Sequence, residues 1–100
     1  MSGDWSDSVD LNRLRGFYTV VKQGSITAAA QRLRLSQPSI SLQMKNLEQE
    51  MGLQLLQRHP RGVTPTREGQ VLYEMAQKLF EIEEEIDAVF SGQAQYEGTS

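Results

Sequence analysis

The sequence predicts a mainly α-helical chain: three short helices, a two-stranded β-hairpin and a long final helix, built around one small core. Three observations carry that prediction. Apolar residues recur at helical spacing in four separate stretches. A proline-containing turn between short strand-like runs interrupts them after Gly52. With 38% apolar content, 100 residues supply one modest core and no second.

The organising stretch is residues 36–52, SQPSISLQMKNLEQEMG. As a helix it places Ile40, Met44, Leu47 and Met51 at i, i+4, i+7 and i+11, a single apolar stripe that must be buried. The opposite face carries Pro38, Leu42, Lys45 and Gln49, flanked by Gln37, Ser39, Ser41, Gln43 and Asn46, with no acidic residue before Glu48. Such a face can approach phosphate. Ser36 or Gln37 suits the N-cap, Pro38 sits in the first turn where it loses no helical bond, and Gly52 suits the left-handed position past the end.

In chain order, residues 1–9 read as a flexible polar tail in which Trp5 alone could act as an anchor. A first helix starts with Asp10 as cap and runs to about Lys22, with Leu14, Phe17, Tyr18 and Val21 at helical spacing; Gln23-Gly24 ends it. Ser25 or Thr27 caps a short second helix whose Ala29, Ala30 and Leu33 allow close approach of a neighbour. Arg34-Leu35-Ser36 turns into the third helix, so the pair has the helix-turn-helix pattern. Residues 53–57 then read as a strand, His59-Pro60-Arg61-Gly62 as a turn and Val63-Thr64 as the returning strand, with Pro65 tolerable at an edge. That hairpin is a wing, and residues 10–65 together make a winged helix-turn-helix.

Thr66 caps the long final helix, 66–90, with Glu68 favoured in its first turn. Leu72, Met75, Leu79, Ile82, Ile86 and Val89 follow a 3,4 repeat, a heptad seam suited to dimerisation, and Val71, Ala76 and Phe80 beside it could pack part of the helix back on the domain. In that register Lys78 and Glu85 both occupy g, so an antiparallel pair centred near residues 81 and 82 sets Lys78 against Glu85 of its mate. A parallel pair would instead lay the Glu83-Glu84-Glu85 run beside its own copy. Residues 91–100, rich in Gly, Ser and Gln, read as a linker.

Charge is segregated. Residues 11–67 hold nine basic residues against two acidic ones, a net +7, while 68–100 hold one against eight, a net −7, which the overall −3 conceals. A polyanion responds to the local field within a Debye length. Within the basic segment Lys45, Arg58 and Arg61 lie on the outer helix face or the wing, whereas Arg13, Arg15, Arg32 and Arg34 read as ordinary solvated charges. His59, the one histidine, has no partner at ligand spacing and reads as a surface residue, not a metal ligand. The chain has no cysteine, which excludes a disulfide scaffold and a thiolate metal site. No membrane span and no signal peptide is expected, and the compartment expected is the cytoplasm. Enzyme function is not expected: no histidine pairs with a serine or carboxylate at a recognisable spacing, and there is no phosphate-cradling glycine loop. No cofactor is expected either.

The run GSITAAAQRLRLSQPSISLQMKNLEQEMGLQLLQR, followed by RGVTPTREG, resembles the N-terminal DNA-binding domain of LysR-type transcriptional regulators. Matching positions include Phe17, Gly24, Ser25, Ala29, Ala30, Leu33, Ser36, Gln37, Pro38, Ser41, Gln43, Leu47, Glu48, Gly52, Leu55, Arg58, Thr66 and Gly69. Leu56 and Pro65 depart from the family pattern, which usually has phenylalanine and an aliphatic residue there. The resemblance implies a winged helix-turn-helix, a linker helix that dimerises antiparallel, and a ligand-sensing domain, absent from these residues, that would take a small-molecule effector.

The function expected is sequence-specific binding of operator DNA by a homodimer on an interrupted inverted repeat. Helix 37–51 would lie in the major groove, with Gln37 on adenine, Ser39 and Ser41 on base edges or phosphates, Pro38 and Leu42 on thymine methyls, and Lys45 on phosphate. Ser25 and Thr27 would meet a phosphate at the second helix's start, with Arg58 and Arg61 on the wing, Arg61 entering the minor groove. The alternative is a winged-helix protein-interaction module, which would need an apolar outer face on the third helix, where only Leu42 offers one.

Overall fold

Six elements follow one another: α1 (Leu11–Gln23), α2 (Ile26–Leu33), α3 (Gln37–Met51), β1 (Leu56–His59), β2 (Gly62–Pro65) and α4 (Arg67–Thr99). The computed structural model describes residues 10–99, with side chains through residue 91. The tail expected over 1–9, Trp5 included, lies outside the described residues.

Each short helix is bounded by local chemistry. The Asp10 carboxylate accepts from the backbone N–H groups of Asn12 (2.8 Å) and Arg13 (3.4 Å), the Ser25 hydroxyl from that of Ala28 (3.1 Å), and the Ser36 hydroxyl from that of Ser39 (3.2 Å). Of the alternatives left open by sequence, Ser25 and Ser36 are therefore the caps. Gly24 and Gly52 end α1 and α3 in the left-handed region, as expected. The turn between α2 and α3 uses Arg34 in that same region (φ 59°), with Leu35 N–H donating to Ala30 C=O at 2.9 Å to close the end of α2.

The core gathers one face of every element: Phe17 and Val20 of α1, Ala29 and Ala30 of α2, Ile40, Met44 and Leu47 of α3, then Leu55, Leu56, Val63, Ala76 and Phe80. Burying each large apolar side chain contributes about 1.5–3 kcal/mol. Met51, the last member of the predicted α3 stripe, is only half-buried, because the helix runs past the core at its end.

The hairpin is antiparallel, pairing Leu56 with Pro65, Gln57 with Thr64, Arg58 with Val63 and His59 with Gly62. It is shifted from the expected strand at 53–57. Residues 53–55 are occupied in closing α3: Leu53 N–H donates to Glu48 C=O (3.1 Å), and the Glu48 carboxylate accepts from the backbone N–H groups of Leu55 (2.8 Å) and Leu56 (3.0 Å). Strand pairing can begin only afterwards, and Pro60-Arg61 is left as a tight tip.

Thr66 caps α4 as expected, accepting from Gly69 N–H at 3.0 Å while donating to Gln54 C=O at 2.6 Å. Gly69 is required by close approach, since a Cβ there would overlap the Leu55 carbonyl. Tyr73 stacks on Tyr18 of α1 with ring centroids 5.2 Å apart, and Phe80 meets the same Tyr18 at 5.4 Å. From residue 81 to 91 every side chain is exposed, so the helix runs past the core there while still held to α1 through Arg15 and Glu83. It does not stop at 90. The stretch expected as a linker is helical to Thr99: it holds no proline, and its two glycines, Gly92 and Gly98, each cost a helix only about 1 kcal/mol. No helix among the described residues is long and apolar enough to cross a membrane.

Candidate nucleic-acid interface

On α3 the two faces separate as the periodicity predicts. Ile40, Met44 and Leu47 are buried, while Pro38, Leu42, Lys45 and Gln49 form an exposed row, Leu42 at 58% exposure. Gln37 and Ser39 are exposed beside that row and Ser41 is half-buried. The Ser36 hydroxyl donates to the Ser39 hydroxyl oxygen at 2.9 Å. Ser39 is thereby held at the start of the helix with its own proton free to donate outward.

The wing is fixed beside the start of α2. Val63 N–H donates to Gly24 C=O at 3.0 Å. A Cβ at Gly62 (φ 143°) would run into that same carbonyl, so only glycine permits the hairpin to seat this closely. Arg61 at the tip therefore stands next to Gly24 and the α2 N-terminus, where Ser25 is half-buried and Thr27 exposed. The Ser25 hydroxyl oxygen is engaged as cap, which leaves its proton for an outside acceptor. His59 Nε2 lies 2.7 Å from Thr64 Oγ1, tying the two strands across the wing. Arg58 pairs with Val63 and so shares a side of the hairpin with Leu56, yet it is exposed.

Both acidic residues of the basic segment have partners within the domain. Glu48 holds the two N–H groups after α3, and Glu50 pairs with Arg13 at 3.0 Å. Arg15 bonds Glu83 of α4 at 2.6 Å and lies 4.4 Å from the centroid of Phe80. Arg13 and Arg15, expected as plain solvated charges, are instead braces between helices. Among the described residues Lys22, Arg32, Arg34, Lys45, Arg58, Arg61 and Arg67 have no ion-pair partner, so the segment keeps its positive potential, most of it on α2 and the turn after it, α3 and the wing. The charge pattern announced a basic segment, but not which acids would be neutralised internally.

The outer face of α4 departs in two places from the heptad reading. Met75, Leu79, Ile82, Ile86 and Val89 are exposed, as a seam requires, but Leu72 is half-buried against the domain's own core. Val71, expected to pack inward with Ala76 and Phe80, is exposed in its place. The docking of Gly69 under the Leu55 carbonyl sets the rotation of the helix and turns Leu72 inward. Phe90, which the heptad pattern does not single out, extends the exposed face at 62% exposure.

This geometry has close relatives. A family model described as bacterial regulatory helix-turn-helix protein, lysR family, matches residues 11–70. The HTH-type transcriptional regulator BenM of Acinetobacter baylyi is 46% identical over 71 residues, which are 71% of this chain and 23% of that protein. The nitrogen assimilation regulatory protein nac of Klebsiella aerogenes gives the same figures, 46% over 71 residues, covering 71% and 23%. The chain thus spans about a quarter of the length of the curated relatives it matches. Among solved structures, a complex of the BenM DNA-binding domain with catB site 1 DNA superposes with a TM-score of 0.77 at 40% identity, covering 86% of this chain and 96% of that one. A complex of the CbnR DNA-binding domain with DNA superposes with a TM-score of 0.72 at 34% identity, covering 86% and 99%.

Proposed function

The chain belongs to the lysR family of bacterial regulatory helix-turn-helix proteins, and from that premise we propose that it binds operator DNA sequence-specifically as part of a transcriptional regulator, in the cytoplasm and with no catalytic step. The observation that carries the reading is the exposed, acid-free row on α3 set beside a wing whose arginine tip adjoins the start of α2.

In this reading α3 enters the major groove. Gln37 presents a bidentate amide to adenine, Ser39 and Ser41 meet base edges or phosphates, and Pro38 and Leu42 lie on thymine methyls. Lys45 neutralises a phosphate. Ser25 and Thr27, with the free N–H groups at the start of α2, hold a second phosphate. Arg61 reaches the neighbouring minor groove, and Arg58, exposed on the first strand of the hairpin, contacts the backbone. Two copies pair antiparallel through Met75, Leu79, Ile82, Ile86 and Val89, with Leu72 contributing from its half-buried position at the end of the seam. Such a pair holds two α3 helices apart and matches an interrupted inverted repeat. A domain following α4 would carry the site for a small-molecule effector.

Selection from a random double-stranded DNA pool tests this directly. Enrichment of an interrupted inverted repeat is the expected outcome, and a pool without enrichment would favour a protein-interaction role for the winged helix.

A further inference from the structure

Building on the antiparallel pairing above, we propose that Phe90 of each protomer seats in an apolar groove on the other, where α4 begins beside the connection from α3 to β1. The groove has a volume of about 260 Å³ and is walled by Met51, Leu53 and Leu55 on one side and Val71, Leu72 and Met75 on the other, with Glu68 at the rim. Leu53, Val71 and Met75 are exposed within it, at 41%, 55% and 63%. A phenyl ring and a groove of this kind are complementary surfaces left open in one molecule. They cannot meet within it, because Phe90 lies fifteen residues beyond Met75 on the same helix, about 22 Å away at 1.5 Å per residue.

A second copy brings them together. With the crossing between residues 81 and 82, positions equally far from it lie opposite one another: Lys78 faces Glu85 of the mate, and Phe90 faces Tyr73, midway between Val71 and Met75. The flank agrees as well as the level. Phe90 falls in seven-residue steps from Gly69 and Ala76, and an antiparallel pair sets that flank of one helix against the same flank of its mate. In the mate, Gly69 and Ala76 are buried and Gly69 lies directly under Leu55, which walls the groove beside Leu53, so Phe90 on this flank meets the domain surface along that wall. The contact joins the far end of one linker helix to the base of the other protomer's α3. It thereby fixes how each winged domain is oriented on the helix pair, and with it the spacing of the two half-sites.

The chain's lack of cysteine allows a clean test. Ile82→Cys, at the crossing, reports the pairing itself, and the double variant Leu53→Cys with Phe90→Cys reports the seat; each is treated with a short bifunctional thiol cross-linker. Covalent dimers from both, with none from Leu53→Cys or Phe90→Cys alone, are expected. Dimers from Ile82→Cys without dimers from the double variant would overturn the Phe90 seat and leave the antiparallel pairing standing. If neither links, the pairing fails and the seat with it. In sedimentation equilibrium Phe90→Ala should raise the dimer dissociation constant about a hundredfold, tenfold for each of the two equivalent contacts. Leu53→Ala should act in the same direction and add little when combined with it. An unchanged dissociation constant for Phe90→Ala would refute the proposal.

Discussion

Removing the Glu48 carboxylate is expected to unseat the wing while leaving α3 itself intact. That carboxylate accepts from two successive backbone N–H groups, Leu55 at 2.8 Å and Leu56 at 3.0 Å, and both residues are buried. A hydrogen bond to a charged acceptor contributes about 1.5–3 kcal/mol, and Glu48 is only half-buried, so the lower end applies to each and Glu48→Ala should cost about 3 kcal/mol. For a domain of this size that is a fall in melting temperature on the order of 15 °C. Glu48→Gln keeps one neutral acceptor and should lose roughly half as much. Urea unfolding followed by far-ultraviolet circular dichroism measures both variants against the parent. Because the carboxylate positions β1, DNA affinity should fall further than the unfolded fraction accounts for. Stabilities for both variants within about 0.5 kcal/mol of the parent, the range of an ordinary surface substitution, would show that water replaces the carboxylate and that the wing is held by Gly24 and Gly62 alone.

Lys45→Ala and Arg61→Ala should each weaken binding to all DNA sequences and reduce the log–log salt slope by about 0.9 for each phosphate no longer neutralised; an unchanged slope with weakened specific binding would identify a base contact instead. Leu42→Ala should leave the melting temperature unchanged and cost on the order of 1 kcal/mol at one operator position, a loss that vanishes when the thymine there is replaced by uracil. A drop in melting temperature would instead place Leu42 in the core, against its exposure. Ile82→Lys should give a folded monomer by sedimentation that binds a single half-site weakly, and unchanged affinity for the full repeat would move dimerisation elsewhere in the protein.

What the sequence determined by itself was whatever depends on residues a few positions apart. The caps at Asp10 and Thr66, the choice of cap narrowed to Ser25 or Thr27 and to Ser36 or Gln37, the glycine stops at Gly24 and Gly52, and the split of α3 into a buried stripe and an exposed row through Leu42 and Lys45 all follow from helical period and side-chain chemistry within one or two turns. The family resemblance was legible for the same reason, since its motif lies in the continuous run from Gly24 to Gly69. What the tertiary structure decided is where distant segments press on one another. Glu48 is marked in sequence only as a position of the family motif with no role attached, and only the return of the chain at Leu55 and Leu56 gives it two donors and delays the start of β1. Arg13 and Arg15 read as solvated charges until Glu50 and Glu83 are brought opposite them. Heptad spacing alone places Leu72 in the seam and leaves Val71 and Phe90 aside; packing of Gly69 beneath the Leu55 carbonyl sets the helix rotation, half-buries Leu72 against the core and leaves Val71 and Phe90 exposed. A period of 3.5 or 3.6 residues defines which side chains share a face, but the direction in which that face points is settled by contacts made across the fold.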